Sequence, residues 1–259
     1  MTSADELLDE AEAQGFEGWD FTRLGDRLTL TPPHWDLEGT VAARAAAARN
    51  MLDMGTGGGE WLASLAARAP ATVATESWPP NVGVAAARLR PLEIGVVHSE
   101  GAVDNHLQAG PEVGGRLPFR SAAFDLVSNR HEAFNAAEVA RVLRPGGWFV
   151  TQQAHSGTVE FHRVLGLAPP RALEFDLELA VEQVRLAGLE VAVAEKGTAV
   201  TTFADIGALA WYLKSVPWAV PGFTIDRHRG TLLSLHRQAP IPISSTRFWL
   251  QASKPGAAA

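Results

Sequence analysis

The sequence contains no cysteine. Disulfide bonds, thiol catalysis and cysteine-ligated metal sites are therefore excluded, and the composition fits a cytoplasmic protein. Lysine is also scarce, since only Lys196, Lys214 and Lys254 occur in 259 residues. The net charge is −7 and no run of basic residues is present, so the composition disfavours a nucleic-acid ligand and favours a small-molecule substrate.

Long apolar stretches are missing too. No run of about 18 uncharged apolar residues occurs, so we expect no membrane span. The first residues, MTSADELLDEAEAQ, are acidic and amphipathic, which is unlike a secretory signal peptide. The histidines show no known ligand spacing, and we therefore predict no metal site.

The most informative stretch is residues 50–61, NMLDMGTGGGEW. A short apolar strand is expected to end at a glycine loop, Gly55–Gly59, and a helix is expected to follow from Glu60 to about Ala69. Glycine permits positive φ and close approach of the backbone to a ligand, and a helix N-terminus adds free N–H groups. Either a dinucleotide or S-adenosylmethionine suits such a loop, and a tight turn without any ligand is the alternative.

Short apolar strands alternate with helical patterns along most of the chain. Further strands are expected at residues 71–75, 94–97, 124–128, 148–152, 189–194 and 246–253, and helices at 37–49, 79–89, 174–187, 203–215 and 226–237. This alternation predicts an α/β fold with a doubly wound parallel sheet. We expect an N-terminal helical cap at 1–48, a core at 49–200 and 240–259, and a helical, aromatic insertion at 201–239.

Polar residues follow the strands where ligands of such sheets bind, at the carboxyl ends. Glu76 ends the second strand, and a carboxylate there can accept both hydroxyls of a ribose, although a solvated loop glutamate is the alternative. The segments Glu100–Ala102 and Asn129–Glu132, together with His155, follow later strands. We expect all of these residues to surround one crevice.

Five pieces of the chain together resemble the class I S-adenosylmethionine-dependent methyltransferases, near the ubiquinone and menaquinone biosynthesis type. They are DMGTGGG (Asp53–Gly59), Glu76, EGA (Glu100–Ala102), the stretch from Leu117 to Val127, and RVLRPGGWFV (Arg141–Val150). The resemblance implies a Rossmann-like sheet of seven strands with an antiparallel last strand, and Thr246–Ser253 suits that strand. A nicotinamide dehydrogenase would not be expected to carry the last two pieces.

The resemblance also implies that S-adenosylmethionine is the cofactor. The glycine loop would contact its methionine and sugar parts, Glu76 its ribose, and Glu100 its adenine amine. The residues assigned to the cofactor are Asp53, Gly55, Thr56, Gly57, Gly59, Glu76, Ser77, Glu100, Gly101, Ala102 and Asn129. Residues 129–132 read Asn-Arg-His-Glu, unlike the Asn/Asp-Pro-Pro-Tyr of amino-directed nucleic-acid methyltransferases, so methylation of base amines is not supported.

The function that follows is methyl transfer to O or N of a small, partly apolar molecule, by a monomer or homodimer. His131 is the first candidate for a general base and His155 the second, because histidine titrates near neutral pH. The predicted substrate contacts are His131, Glu132, His155, Trp211, Tyr212 and Trp218. The insertion is either a lid over the acceptor or a packing element. An RNA methyltransferase and a non-catalytic S-adenosylmethionine-binding protein are the alternative functions.

Overall fold

The computed structural model describes residues 2–16, 18–102, 114–154, 157–170 and 175–256. A single sheet of eight strands, flanked by helices, organises this part of the chain. The strands are β1 (Leu28–Thr31), β2 (Asn50–Met54), β3 (Ala71–Glu76), β4 (Gly95–His98), β5 (Phe124–Arg130), β6 (Leu143–Ala154), β7 (Glu190–Phe203) and β8 (Ile241–Ser253). The helices are α1 (Ala4–Ala13), α2 (Leu37–Ala47), α3 (Glu60–Ser64), α4 (Pro79–Leu89), α5 (Ala136–Val142), α6 (Gly157–Val164), α7 (Leu177–Leu186), α8 (Ile206–Ser215) and α9 (Ile225–His236).

The strand order is β1-β7-β8-β6-β5-β2-β3-β4. Strands β2 to β6 pair in parallel, β8 lies antiparallel between β6 and β7, and β1 pairs antiparallel with β7. The predicted Rossmann-like α/β fold with an antiparallel last strand is confirmed. The described sheet has one strand more than the expected seven, because the N-terminal segment adds β1. This strand has the sequence LTLT and is largely exposed, so it lacks the apolar run by which a buried strand is predicted.

The central strands owe their positions to burial on both faces. Strand β5 is buried from Phe124 to Asn129, and β2 from Met51 to Met54, as expected of parallel strands covered by helices. One hydrophobic cluster packs α5 and α7 against the sheet, and another packs α2, α3 and α4 against it. The glycine loop therefore begins at the end of a rigid, fully buried strand.

Several element lengths differ from those predicted. Helix α3 ends at Ser64, since Leu65 already has extended ψ. Strands β7 and β8 are longer than expected because they pair from Glu190–Ser253 to Phe203–Ile241. Helix α6 was not predicted, and residues 103–113 lie outside the described residues.

A third cluster joins the N-terminal segment to the second half of the chain. Buried side chains of α1, α6, α8 and α9 share this core with Leu24 and Phe203. Arg27 supports it by donating to Asp205 over 2.7 and 2.8 Å. No helix in the described ranges is long and apolar enough to cross a membrane.

Candidate active site

The strand register brings the ends of four strands to one edge of the sheet. Met54 at the end of β2 pairs with Thr75 of β3 and with Asn129 of β5. Glu76 pairs with His98 of β4. Residues far apart in sequence therefore surround one crevice, as the alternating pattern predicted.

The glycine loop turns sharply at this edge. Gly55 and Gly57 have φ of 66° and 63°, and Gly59 at the N-terminus of α3 has φ of 80°. A side chain on Gly55 would place its Cβ 2.4 Å from Cβ of Glu132, so both backbone angle and space require glycine there. The backbone N–H of Thr56 donates to Thr75 O over 2.9 Å and fixes the loop to β3.

Glu76 is the carboxylate that the loop surrounds. It is 5% exposed, and its two oxygens accept from the backbone N–H of Gly57 at 2.7 Å and of Trp78 at 2.8 Å. Burial raises the pKa of Glu76, while these backbone N–H groups oppose that rise. A carboxylate offers about four lone pairs, so two ribose hydroxyls can still be accepted.

Asp53 lies beneath the loop at the end of β2 and is 2% exposed. Its Oδ1 accepts from Ser128 Oγ over 2.7 Å. Burial raises the pKa of Asp53 to about 6, although Ser128 and the charge of Arg130 oppose the rise. Its contacts are internal, which makes it a support for the loop.

The other side of the crevice comes from the segments after β3 and β4. Ser77, Glu100, Gly101 and Ala102 line it, and Glu100 is exposed. Ser77 Oγ donates to Glu132 Oε1 over 3.1 Å. The predicted cofactor residues from three strand ends therefore lie around one space.

Glu132 closes this space. A Cβ built on Gly101 would lie 2.4 Å from Glu132 Oε1, and Gly55 touches the same side chain from the opposite wall. The volume that remains is about 10 Å³, which is room for one water molecule. Rotation of the Glu132 side chain away from Gly55 and Gly101 would enlarge this space.

Asn129 lies near the carboxyl end of β5, beside Met54 at the base of the site. Its Oδ1 accepts from Thr151 Oγ1 at 2.8 Å and from Gln153 Nε2 at 2.6 Å. Asn129 is 1% exposed, and its Nδ2 has no hydrogen-bond partner among the described residues. A buried amide donor without a partner is costly, so this atom favours a ligand that accepts a hydrogen bond.

His131 stands at the end of a fixed hydrogen-bond chain. Trp35 Nε1 donates to Gln152 Oε1 over 2.8 Å, which turns Gln152 Nε2 towards His131 Nε2 at 3.1 Å. Nε2 therefore accepts, and Nδ1 carries the proton. His131 also has a φ of 65°, a left-handed conformation that residues other than glycine rarely adopt and that clusters at functional sites.

His131 is exposed as a residue, yet the surrounding protein desolvates its imidazole, and we call this region beside Arg130 and Arg247 the recess. Desolvation in this recess lowers the pKa of His131 well below its usual value, and the charges of Arg247 and Arg130 lower it further. The ring is therefore neutral at pH 7. His155, the second candidate base, lies outside the described residues.

The three aromatic residues that were predicted to contact the substrate lie in different surroundings. Trp211 is 3% exposed and packs between Phe16 and Phe21 in the third cluster. Tyr212 contacts Phe21, and burial raises its pKa while the nearby charge of Arg247 opposes the rise. Trp218 is 60% exposed.

The sequence reasoning missed Arg247, and it assigned no individual role to Trp19 or Arg130. Trp19 lies on the glycine loop, since its Cβ is 3.1 Å from a Cβ built on Gly57, and it stacks on Trp218 with ring centroids 5.6 Å apart. Arg130 is the last residue of β5 and belongs to the segment 129–132 that the sequence placed at the crevice. The described residues hold no group of three or more histidine, aspartate or glutamate side chains suited to a metal ion.

Comparison with known proteins agrees with this geometry. Residues 52–151 match the family model described as a methyltransferase domain, and this stretch contains the glycine loop, Glu76 and Glu132. Residues 52–151 therefore form a methyltransferase domain, and the sheet around them has the fold of the class I, S-adenosylmethionine-dependent type. The cofactor of this domain is S-adenosylmethionine. No curated protein sequence matches the chain significantly.

Solved structures share the fold at low sequence identity. The YcgJ protein from Bacillus subtilis is 17% identical, with 85% of this chain and 99% of that chain covered and a TM-score of 0.58. A protein from Bacillus halodurans C-125, described as a proposed methyltransferase, has the same identity, coverage and TM-score. A chain from the complex of the Haloferax volcanii Trm112 methyltransferase activator with its proposed methyltransferase is 20% identical, with 100% of both chains covered and a TM-score of 0.51.

The chemistry of the residues at the crevice fits the cofactor. Glu76 has lone pairs for ribose hydroxyls, and Asn129 offers an unpartnered buried donor, while Glu132 and Trp19 now occupy the space beside Gly55 and Gly57. The assignment of individual residues to parts of the cofactor remains a prediction.

Proposed function

We propose that the chain transfers a methyl group from S-adenosylmethionine to O or N of a small, partly apolar molecule. The observation that carries this proposal is the aromatic surface beside the glycine loop. Trp19 lies against Gly57, and Trp218 of the segment after α8 stacks on Trp19 with a 10° angle between the rings. Apolar rings beside the reactive edge suit an apolar acceptor.

The recess around His131 supports an acceptor that reaches the same edge. It contains the exposed His131 and the amide of Gln152, and Arg247, which lies beside His131, is also near Tyr212. His131 follows β5, Gln152 lies on β6 and Tyr212 on α8, so the proposed acceptor pocket lies between the sheet and the helical segment of residues 201–239. In this proposal that segment, together with Trp19, acts as the lid.

The cofactor, when bound, supplies an activated methyl group. The protein then has to orient the acceptor, and orientation alone contributes about 7–11 kcal/mol to such reactions. We assign orientation to His131, whose Nδ1–H donates while Nε2 accepts from Gln152. Proton uptake by His131 would be opposed by the nearby charges of Arg130 and Arg247, so any general-base contribution is small.

Calorimetric titration with S-adenosylhomocysteine and with NAD tests the cofactor part of the proposal. We expect micromolar binding of S-adenosylhomocysteine and none of NAD. Glu76→Gln should weaken binding at least tenfold, because the ribose loses a charge-assisted acceptor. The matched control is Glu182→Gln, at an exposed position on α7, and it should bind like the wild type.

A screen with radiolabelled S-adenosylmethionine tests the acceptor part. Methyl transfer to small aromatic or aliphatic molecules supports the proposal. Transfer to RNA at physiological salt would establish the RNA methyltransferase instead. Tight cofactor binding without any product across both acceptor classes would favour the non-catalytic alternative.

A further inference from the structure

Two guanidinium groups reach the recess from different strands. Arg130 is the last residue of β5 and precedes His131. Arg247 lies on β8 opposite Ala154, the last residue of β6, and its Nη1 is 3.5 Å from His131 Nε2. Both side chains are half-buried.

Neither group has a carboxylate partner at ion-pair distance among the described residues. Burial lowers the pKa of Arg130, and the more distant charges of Asp53, Glu38 and Glu60 oppose this. Within the described ranges, no Asp or Glu oxygen lies within 4.0 Å of a guanidinium nitrogen of Arg130 or Arg247. Arg247 Nε is fully buried and has no hydrogen-bond partner there. By contrast, Arg27 and Arg141 each have a carboxylate oxygen at 2.7 Å.

Unpaired charge of this kind is costly to the fold. A half-buried guanidinium loses hydration, and only an ion pair or hydrogen bonds recover the loss. Like charges nearby add to the cost, and Arg130 is close enough to Arg247 to lower the pKa of Arg247. Groups held in such a state in a cleft are candidates for ligand binding.

The neighbouring groups point to the chemistry of the ligand. His131 presents Nδ1–H, since its Nε2 accepts from Gln152. Arg130 and Arg247 have only donors. The recess therefore offers donors to a ligand that accepts hydrogen bonds, and a guanidinium fork matches the two oxygens of a carboxylate.

We propose that Arg130 and Arg247 bind a carboxylate on the acceptor, so that the substrates are small apolar organic acids. The inference rests on the proposed function, and it adds the charge and class of the substrate. The aromatic surface of Trp19 and Trp218 would contact the apolar part of the same molecule.

Calorimetry with benzoate and benzamide tests this proposal on protein saturated with S-adenosylhomocysteine. The two probes have the same ring and nearly the same shape, and only benzoate carries the charge. We expect benzoate to bind at least tenfold more tightly. Equal affinities would overturn the proposal, and this comparison needs only the wild-type protein.

Variants locate the effect. Arg130→Gln and Arg247→Gln should each lose the preference for benzoate while keeping the affinity for S-adenosylhomocysteine. Arg185→Gln, at an exposed position of α7, should keep both. A preference that survives in both recess variants would also overturn the proposal. Failure of the wild type to bind S-adenosylhomocysteine would instead contradict the proposed function, so the two failures are distinguishable.

Discussion

Trp19 and Trp218 stack face to face, with ring centroids 5.6 Å apart and an interplanar angle of 10°. One ring belongs to the N-terminal segment, and the other follows α8. The stack is therefore a direct contact between two parts of the chain that both lie near the glycine loop.

This contact predicts a measurable coupling. Stacked aromatic pairs contribute about 0.5–1.5 kcal/mol beyond their buried area. Trp218→Ala alone should lower the free energy of unfolding only a little, because Trp218 is 60% exposed. Trp19→Ala should lower it more, because Trp19 also packs on Phe16 and Phe21. In a double-mutant cycle by urea unfolding, we expect a coupling in the stated range. Additive effects would show that the stack contributes nothing.

Substitution of Gly55 should damage both stability and cofactor binding. Its φ is 66°, and a left-handed conformation costs a residue with a Cβ about 1–2 kcal/mol. The new Cβ would also collide with Cβ of Glu132. We expect Gly55→Ala to lower the free energy of unfolding by at least this amount and to abolish detectable S-adenosylhomocysteine binding.

Gly83→Ala is the matched control for that change. Gly83 lies inside helix α4, and a Cβ there would have no atom within 4 Å. Alanine is the better helix former by about 1 kcal/mol, so this variant should be as stable as the wild type or more stable. Equal behaviour of the two variants would contradict the role of the turn at Gly55.

Asp53 should make stability depend on pH. Its folded pKa is about 6, above the usual 3.8, so the folded state keeps a proton that the unfolded state has lost between these values. The free energy of unfolding contributed by this group therefore falls as pH rises from about 4 to 6. From the two pKa values, the total change is about 3 kcal/mol.

The Asp53→Asn variant measures this effect, because asparagine does not titrate. The variant minus wild-type difference in the free energy of unfolding should rise between pH 4 and 6 and stay level above that range. Denaturant melts at half-unit pH steps provide the values. A constant difference across the range would mean that Asp53 is not destabilised by its burial.

The pKa of His131 should respond to Arg247. Desolvation is the main cause of the lowered pKa of His131, and the positive charge of Arg247 lowers it further. Arg247→Gln removes that charge, so we expect the pKa of His131 to rise towards its usual value of about 6.5. NMR titration of the imidazole resonances in wild type, Arg247→Gln and Arg185→Gln measures it. An unchanged pKa in Arg247→Gln would show that the two groups do not interact.

The sequence predicted the part of the site that local pattern determines. Gly55, Glu76 and Glu100 each lie at or just after the end of a short apolar strand. The carboxyl ends of parallel strands meet at one edge of the sheet. Glu132 and His131 were predicted for the same reason. The closing of the crevice by Glu132 was not predictable, since it depends on which rotamer the side chain adopts.

Other parts depend on tertiary contacts alone. Arg247 reaches His131 only because β8 inserts between β6 and β7. No local sequence pattern indicates which residue of β8 will face His131. The position of Trp19 on Gly57 depends on how the segment after α1 folds back. Trp211 lies in a hydrophobic core, a position that an aromatic-rich helix alone does not distinguish from a pocket wall.

The outermost strands of the described sheet, β1 and β4, span only four residues each. An open strand edge is a template on which a second chain can add by backbone hydrogen bonding, and short edge strands limit this. The long pair β7 and β8 lies inside the sheet, covered on one side by β1. Strand β1 pairs only with Val200–Phe203 of β7, so it shields that end of the long pair from edge-to-edge association.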